Sequence, residues 1–271
     1  MGQAPKVSFI IPARNRAYEL KAALASCLSQ TLDEWEAIVV DDHSDQDNIQ
    51  EIVKSLDDCR IRYILQKTNQ TGEAAGRELA ILNAQSNILI TLDSDDLNYP
   101  YRAARCLQLL DESSPKMIYT RVHHFSNNKP SGQSKRILQP FNKKLLEMMN
   151  YITNPGTAFN RSAYEVAGSH YDKSLELATD YEQFLRMAQS KVNIAAKDEV
   201  HVCYRKHNKA VTFGTNNKLH EAIMQIRIKH NIDAFPLEKI YRYALPELSE
   251  NIRNNPAQKS LWKDDRWESQ C

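Results

Sequence analysis

A short apolar run that ends in three carboxylates is the feature that most constrains this chain. Residues 87–92 read Asn-Ile-Leu-Ile-Thr-Leu, and Asp93, Asp95 and Asp96 follow. Because Ile and Leu fall on both faces of the pleat, the run predicts a strand buried on both sides, as in a parallel sheet covered by helices. Open α/β sheets bind ligands at the carboxyl ends of such strands. Like charges crowded there predict a divalent cation with oxygen preference, Mg²⁺ or Mn²⁺, serving a phosphorylated ligand.

The rest of the first half alternates between strands and helices. Apolar and β-branched runs predict strands at 6–11, 36–40, 61–65 and 116–120. Apolar residues at helical spacing predict helices at 17–30, 48–56, 73–84 and from Asn98 onwards. This alternation implies right-handed parallel crossovers, so the predicted fold class is α/β, with a mostly parallel central sheet flanked by helices.

The character of the sequence changes after residue 120. Residues 121–140 are polar and contain Pro130 and Gly132, which is typical of an excursion or a hairpin. The second half is mixed, with segments predicted as helices near Asn142, from Ser162, and at 179–189, 216–232 and 237–248, and as a strand at 192–202.

Composition excludes several function classes. Lys and Arg total 35 against 34 Asp and Glu, so the formal charge of +1 gives no electrostatic case for nucleic acid. Five widely spaced cysteines without a C-x-x-C pair favour reduced thiols over a disulfide framework or a zinc site. No leader follows Met1, and no apolar run approaches the roughly 20 residues of a membrane helix. We therefore expect a soluble, cytoplasmic protein.

Six short elements occur in one order along the chain. They are 8–16, 39–44, 72–77, 92–96 with Pro100, 179–181 and 204–207. Each is weak alone, since a D-x-D occurs widely by chance, but six in this order form a specific signal. From Val7 to about Thr212 the chain resembles the inverting nucleotide-sugar glycosyltransferases of family 2, which have the GT-A fold.

The resemblance implies a donor-binding set of Pro12, Arg14, Asp42, Arg77, Asp93 and Asp96. Asp42 would accept from the imide of a uracil-type base, Arg77 would reach a phosphate or the base, and Asp93 would face the ribose. The role of Asp96 is ambiguous. Where the family commonly has a Tyr, this chain has Arg14, so any stacking on the base would use a guanidinium plane.

The resemblance also implies a metal and a base. Asp95 would hold Mn²⁺ or Mg²⁺ at the donor diphosphate, and His207 would be a metal or diphosphate contact. Asp180 would take the proton of the acceptor hydroxyl. The family often has Glu-Asp where this chain has Thr179-Asp180. The missing negative neighbour favours a lower pKa for Asp180.

Several of these residues also have a purely structural interpretation. Asp42 could cap the next helix, as could its neighbours, and the carboxylates after residue 92 could cap the helix expected at Asn98. Arg77 could pair with Glu73 on a solvated helix face. Asp180 could serve only to stabilise the dipole of the helix that begins near it, and His207 could simply be exposed to solvent.

The predicted function is transfer of one sugar from a nucleotide diphosphate donor, a UDP-sugar, to a hydroxyl of a glycan or lipid-linked saccharide, with inversion. Residues 1–120 would bind the donor, 121–212 would form the acceptor and catalytic half, and 213–271 a C-terminal helical extension. Two alternatives are a non-catalytic sugar-nucleotide-binding partner and a metal-dependent phosphatase. The phosphatase is disfavoured because its D-x-D strand usually lies near the N-terminus. Peripheral contact with the inner face of the membrane and oligomerisation stay open.

Overall fold

A computed structural model describes residues 4–67, 69, 71–110, 114–126, 129–133, 138–206 and 216–232. Its strands are β1 (Val7–Ala13), β2 (Trp35–Asp41), β3 (Ile61–Leu65), β4 (Ile88–Thr91), β5 (Leu97–Asn98), β6 (Lys116–Ser126), β7 (Lys129–Gln133), β8 (Thr157–Asn160) and β9 (Asn193–Arg205). Its α-helices are α1 (Ala17–Leu28), α2 (Ile49–Ser55), α3 (Glu73–Asn83), α4 (Arg102–Leu109), α5 (Lys143–Met148), α6 (Arg161–Val166), α7 (Thr179–Gln189) and α8 (Asn216–Lys229).

The strands form one sheet in the order β3-β2-β1-β4-β8-β6-β9-β5, and β7 pairs with β6. β1 lies parallel to β2 and β4, and β2 lies parallel to β3. β8 runs antiparallel to both β4 and β6, whereas β6 and β9 are parallel. The predicted α/β class is confirmed. The expected parallel order holds for β1 to β4, and the antiparallel strands follow Asp96 along the chain.

The central strands are buried on both faces, as the apolar runs predict. All four residues of β4 are buried. Leu89 packs into a cluster on one face of the sheet, with residues of α5, α6 and α7, and Ile90 packs into a second cluster with α1 and α4. Burial of both faces excludes water from the strand backbone and fixes where β4 ends, and hence where Asp93 begins its loop.

Two predicted boundaries are wrong. The helix expected from Asn98 begins at Arg102, because Asn98 pairs with Val202 of β9 and Pro100 disfavours helical backbone at the residue before it. The strand expected to end at residue 120 continues to Ser126 and turns back through β7, so the polar excursion includes a hairpin. The helix predicted at 237–248 lies outside the described residues. Among the described helices, none is long and apolar enough to cross a membrane.

A tight contact sets the position of the chain before β8. A 3-10 turn spans Asn154–Gly156, and a Cβ on Gly156 would lie 2.8 Å from the backbone oxygen of Thr120. The Thr91 hydroxyl donates to the Asn154 carbonyl at 2.9 Å. A side chain larger than hydrogen at residue 156 would push the turn away from β6. Asn154 is thereby held beside the end of β4, where the acidic cluster starts.

Candidate functional site

The predicted site residues converge at one edge of the sheet. β1, β2 and β4 end there in parallel, so the residues after Ala13, Asp41 and Thr91 lie side by side. α3 begins at the same edge, and Arg77 in its second turn donates to the Thr179 hydroxyl at 3.4 Å, which brings the start of α7 to the site. Residues that are far apart in the sequence are therefore close together at this edge of the sheet.

Asp42 offers a buried acceptor. Its backbone N–H donates to the Ala13 carbonyl at 2.9 Å, and its Oδ2 accepts from the Gly72 N–H at 3.0 Å. Its Oδ1 is buried and has no hydrogen-bond partner among the residues that the structure describes. Asn48 caps α2 by accepting from Glu51 N–H at 3.0 Å, so the capping interpretation of Asp42 is wrong. A desolvated carboxylate oxygen of this kind gains free energy from an N–H of a ligand.

Pro12 and Arg14 lie on either side of the end of β1. Pro12 packs against α3, since a Cβ on Gly76 would lie 3.3 Å from the Pro12 Cβ. The Arg14 Nη1 lies 3.6 Å from Asp42 Oδ2, and the Arg14 side chain is 58% exposed. Arg14 therefore stays accessible to a ligand beside Asp42, while Pro12 fixes the backbone beneath it.

Arg77 connects the donor side of the site to α7. Its guanidinium donates to Asp93 Oδ1 at 2.8 Å and pairs with Glu73, and its side chain is only 3% exposed. The expected pair with Glu73 is present, but the interpretation of Arg77 as part of a solvated face is wrong. Burial lowers the pKa of Arg77, yet Glu73 and Asp93 outweigh it, so the pKa lies above its ordinary value.

The three carboxylates after β4 have different surroundings. Asp93 contacts Arg77 and lies 3.5 Å from Asn154 Nδ2. The Asp95 carboxylate is 15% exposed and pairs with Arg16. Asp96 is fully buried. The cap position of α4 is Tyr101, and no side chain caps that helix, so the interpretation of this cluster as a helix cap is wrong.

Asp96 ties the acidic loop to the end of β9. Its Oδ1 accepts from the Arg205 N–H at 2.8 Å, while its Oδ2 is buried without a partner among the described residues. Arg205 also donates through Nε to the Asp95 carbonyl at 2.8 Å. Burial raises the pKa of Asp96 well above its usual range, and the nearby Asp93 charge adds to this. A direct contact of Asp96 with a donor stays a prediction.

Asp180 lies in the first turn of α7, beside the Arg77 cluster. Asn150 Nδ2 lies 3.4 Å from its Oδ2. Burial raises the pKa of Asp180, and Asp93 adds to the increase, while Arg77 and Asn150 oppose it. The net pKa of Asp180 is raised. The lower pKa expected from the missing acidic neighbour is therefore wrong, because desolvation by burial has the larger effect. A raised pKa brings a carboxylate base closer to working pH.

The predicted metal is compatible with the donor groups present. Within the described residues, no three His, Cys, Asp or Glu side chains form a group that could hold a metal ion by themselves. Mg²⁺ sites that serve phosphates commonly use one or two carboxylates together with phosphate oxygens and water. The partly exposed Asp95 fits such a shared site. His207 lies outside the described residues, so its role stays a prediction.

Sequence reasoning misses residues that join distant parts of the site. Arg16 pairs with Asp95, Asn150 contacts Asp180, and Asn154 approaches Asp93. The position of Arg16 directly after Asn15 in the loop that follows β1 is a usable signal. Asn150 and Asn154 fall in a region without a motif.

Comparison with known proteins gives a consistent family. A family model described as Glycosyl transferase family 2 matches residues 8–167. WcaA of Escherichia coli K12, named for colanic acid biosynthesis glycosyl transfer, is 29% identical over 197 residues, covering 69% of this chain and 67% of WcaA. WfgD of Escherichia coli, named UDP-Glc:alpha-D-GlcNAc-diphosphoundecaprenol beta-1,3-glucosyltransferase, is 30% identical over 129 residues, which cover 47% of this chain and 49% of WfgD.

Solved structures agree on the fold. S. aureus TarS 1-349 in complex with UDP-GlcNAc matches with a TM-score of 0.67 and 19% identity, over 86% of this chain and 69% of TarS 1-349. The mannosyltransferase PcManGT from Pyrobaculum calidifontis, in complex with GDP-Man and Mn²⁺, matches with a TM-score of 0.59 and 17% identity, over 86% of this chain and 66% of PcManGT. At these identities the likeness concerns the fold, and it confirms the expected GT-A architecture.

Proposed function

The chain belongs to glycosyl transferase family 2, and from this premise we propose that it transfers one sugar from a UDP-sugar to a hydroxyl of a glycan or lipid-linked saccharide. The observation that carries the proposal is the convergence of Asp42, Asp93, Asp95 and Asp180 at one sheet edge, with Arg77 between Asp93 and the start of α7. The names of WfgD, a UDP-Glc enzyme, and of TarS with UDP-GlcNAc support the choice of nucleotide.

On the donor side, Asp42 reads the base. Its unpartnered Oδ1 accepts the imide N–H, and Arg14, which is exposed beside it, lies over the base plane. Asp93 binds the ribose, and Arg77 orients that carboxylate by pairing with its Oδ1. Pro12 supports the backbone under the base.

Asp95 would hold Mn²⁺ or Mg²⁺ at the donor diphosphate, and His207, which lies outside the described residues, would be the further contact that the resemblance implies. Support comes from the partial exposure of Asp95 and from the Mn²⁺ that accompanies GDP-Man in the PcManGT complex. The cation, when bound, would stabilise the negative charge of the nucleotide diphosphate as it leaves. Asp96 holds the Asp95 loop against β9 through Arg205.

On the acceptor side, Asp180 is the general base of an inverting displacement. The acceptor oxygen forms a bond to the sugar carbon as the bond from that carbon to the diphosphate oxygen breaks, and the hydroxyl proton passes to Asp180. Inversion requires the base and the leaving group on opposite sides of the sugar. Residues 1–120 then supply the donor contacts and 121–212 the acceptor side. Of the extension predicted at 213–271, only residues 216–232 are among the described residues. Action on a lipid-linked acceptor, as in the name of WfgD, would bring the enzyme to the inner face of the membrane.

A thermal-shift screen of nucleotide sugars with Mn²⁺ tests this function. Ligand at 100 times its Kd adds about 2.7 kcal/mol to the free energy of unfolding, which raises Tm by roughly 5–10 °C. We expect one UDP-sugar to give the largest shift and the shift to fall without metal. An absence of response to every nucleotide sugar would overturn the proposal, and binding without turnover on any saccharide acceptor would favour the non-catalytic partner.

Asn150→Ala is expected to shift the pH dependence of transfer. The side-chain amide of Asn150 donates from Nδ2 to Asp180 Oδ2 and favours the ionised form of Asp180. Removal of this donor therefore raises the pKa of the base. The ionised base is the active form, and activity is therefore lost as pH falls through that pKa. We expect the acid limb of kcat to move to higher pH, with a loss of roughly threefold to tenfold at its acid end.

A pH–rate profile at saturating donor measures this change. Asn193→Ala, which removes an exposed amide at the start of β9, is the matched control and should reproduce the native profile. An Asn150→Ala profile with an unmoved acid limb would remove Asn150 from the control of Asp180.

A further inference from the structure

Arg16 pairs with Asp95, the carboxylate that is proposed to hold the cation. We propose that Arg16 neutralises Asp95 until a nucleotide diphosphate arrives, so that the divalent cation enters only together with the donor, and Arg16 then moves to the diphosphate. This inference rests on the proposed function, because it concerns the order in which that site is filled.

The backbone on both sides of Arg16 is fixed to the loop after β2. Asn15 has a left-handed φ of 50°, its N–H donates to Ser44 Oγ at 2.9 Å, and its Oδ1 accepts from the Asp45 N–H at 2.9 Å. The Ala17 N–H donates to Asp47 Oδ2 at 2.9 Å. With its neighbours held in this way, Arg16 can change partners only by moving its side chain.

The guanidinium of Arg16 lies among acidic groups. It pairs with Asp95, which is 79 residues away in the sequence, and its charge also acts on Glu73 at the start of α3. Asp93 already has a guanidinium partner in Arg77. Two arginines are thus distributed over Asp93 and Asp95, which the proposed mechanism assigns to the ribose and to the cation.

Burial decides which of these two pairs can exchange. The Arg77 side chain is 3% exposed, and its departure would leave unpaired charge in the interior, which is strongly unfavourable. The Arg16 side chain is 22% exposed and its partner Asp95 is 15% exposed. Arg16 can therefore move towards water or a ligand at a lower cost than Arg77, and Asp95 is the more exchangeable of the two carboxylates.

The same arrangement makes the site poor for a cation alone. An incoming divalent ion must displace Arg16 from Asp95, and the described residues offer no group of three ligands to compensate. A nucleotide diphosphate changes both conditions. Its oxygens complete the coordination that Mn²⁺ or Mg²⁺ prefers, and its negative charge gives Arg16 a bidentate partner in place of Asp95.

Binding of Mn²⁺ in the absence of nucleotide tests the inference, with free Mn²⁺ measured by its paramagnetic resonance signal. We expect the native protein to bind Mn²⁺ alone weakly and Arg16→Gln to bind it about tenfold more tightly, because the competing charge is gone. Calorimetry with Mn²⁺ and UDP together should show weaker UDP binding in Arg16→Gln. Arg16→Lys retains the charge and should bind Mn²⁺ alone as weakly as the native protein.

Arg105→Gln is the matched control, since Arg105 is partly exposed and pairs with Glu199 away from the site. It should leave both affinities unchanged, and melting curves of all variants report on folding. If Arg16→Gln binds Mn²⁺ alone no better than the native protein, while native UDP binding depends on Mn²⁺, this inference fails and the proposed function stands. Tight Mn²⁺ binding by the native protein alone would overturn it as well. Metal-independent binding of UDP would overturn this inference and the metal role proposed for Asp95, and it would leave the proposed sugar transfer standing.

Discussion

Asp180→Asn is expected to retain donor binding and to lose sugar transfer by about 10²- to 10⁴-fold, the usual contribution of a general base. The amide has the shape of the carboxylate but cannot take the acceptor proton. Asp180 lies among Arg77, Asp93 and Asn150, and burial raises its pKa. The native rate should therefore fall as pH drops through that pKa, and the Asn variant should lose this limb altogether. Initial rates of UDP release, with UDP affinity by calorimetry, separate the two properties.

Glu176→Gln provides the matched control for Asp180→Asn. Glu176 lies in the segment before α7, its side chain is 86% exposed, and it lies 4.0 Å from Lys218. Its amide variant should transfer sugar at the native rate. A native rate in Asp180→Asn would remove Asp180 as the base, and loss of UDP affinity in that variant would show that the residue contributes to donor binding instead.

The two competing functions differ from the proposal at identifiable residues. A phosphatase would need the first carboxylate after β4 as a nucleophile, but Asp93 is held by Arg77 and approached by Asn154. A non-catalytic binding partner would have no use for a buried carboxylate at the start of α7, raised in pKa and contacted by Asn150. Both observations favour a transferase.

The local sequence predicts local structure in this chain, but it does not predict contacts between residues that are far apart in the sequence. The apolar runs of β1, β2 and β4 predict their own burial, because a strand covered on both faces has no polar face to interrupt it. The boundary at Asn98 is wrong because Asn98 pairs with Val202, about a hundred residues later. Spacing along the chain contains no information on such a pairing.

The same limit applies to the site. Asp42 and Asp93 are predictable because they lie within two residues of strand ends, and parallel strands bring their ends together. The partners that distinguish one carboxylate from another, such as Arg16 for Asp95 and Asn154 for Asp93, come from 79 and 61 residues away. The helix position of Arg77 predicts only its pair with Glu73 at a surface. Its contacts with Asp93 and with Thr179 at the start of α7 come from 16 and 102 residues away.

Asp95→Ala is expected to abolish the metal dependence of UDP binding and to weaken that binding on the order of 100-fold, since the cation proposed at the diphosphate would lose its protein carboxylate. The neighbouring carboxylates cannot replace it. Asp93 is held by Arg77, and Asp96 is fully buried and bound to the Arg205 N–H. Calorimetric titration of UDP with and without Mn²⁺ measures both effects.

Asp198→Ala is the control for Asp95→Ala, because it removes a 73% exposed carboxylate that pairs with Arg121. It should bind UDP with native affinity and native metal dependence.

The double variant Arg16→Gln with Asp95→Ala tests whether Arg16 acts on Mn²⁺ binding through Asp95. Removal of the competing Arg16 guanidinium can strengthen Mn²⁺ binding only where the Asp95 carboxylate is still present. We therefore expect the double variant to bind Mn²⁺ alone no better than Asp95→Ala. Tight, metal-dependent binding of UDP by Asp95→Ala would assign the cation to other side chains.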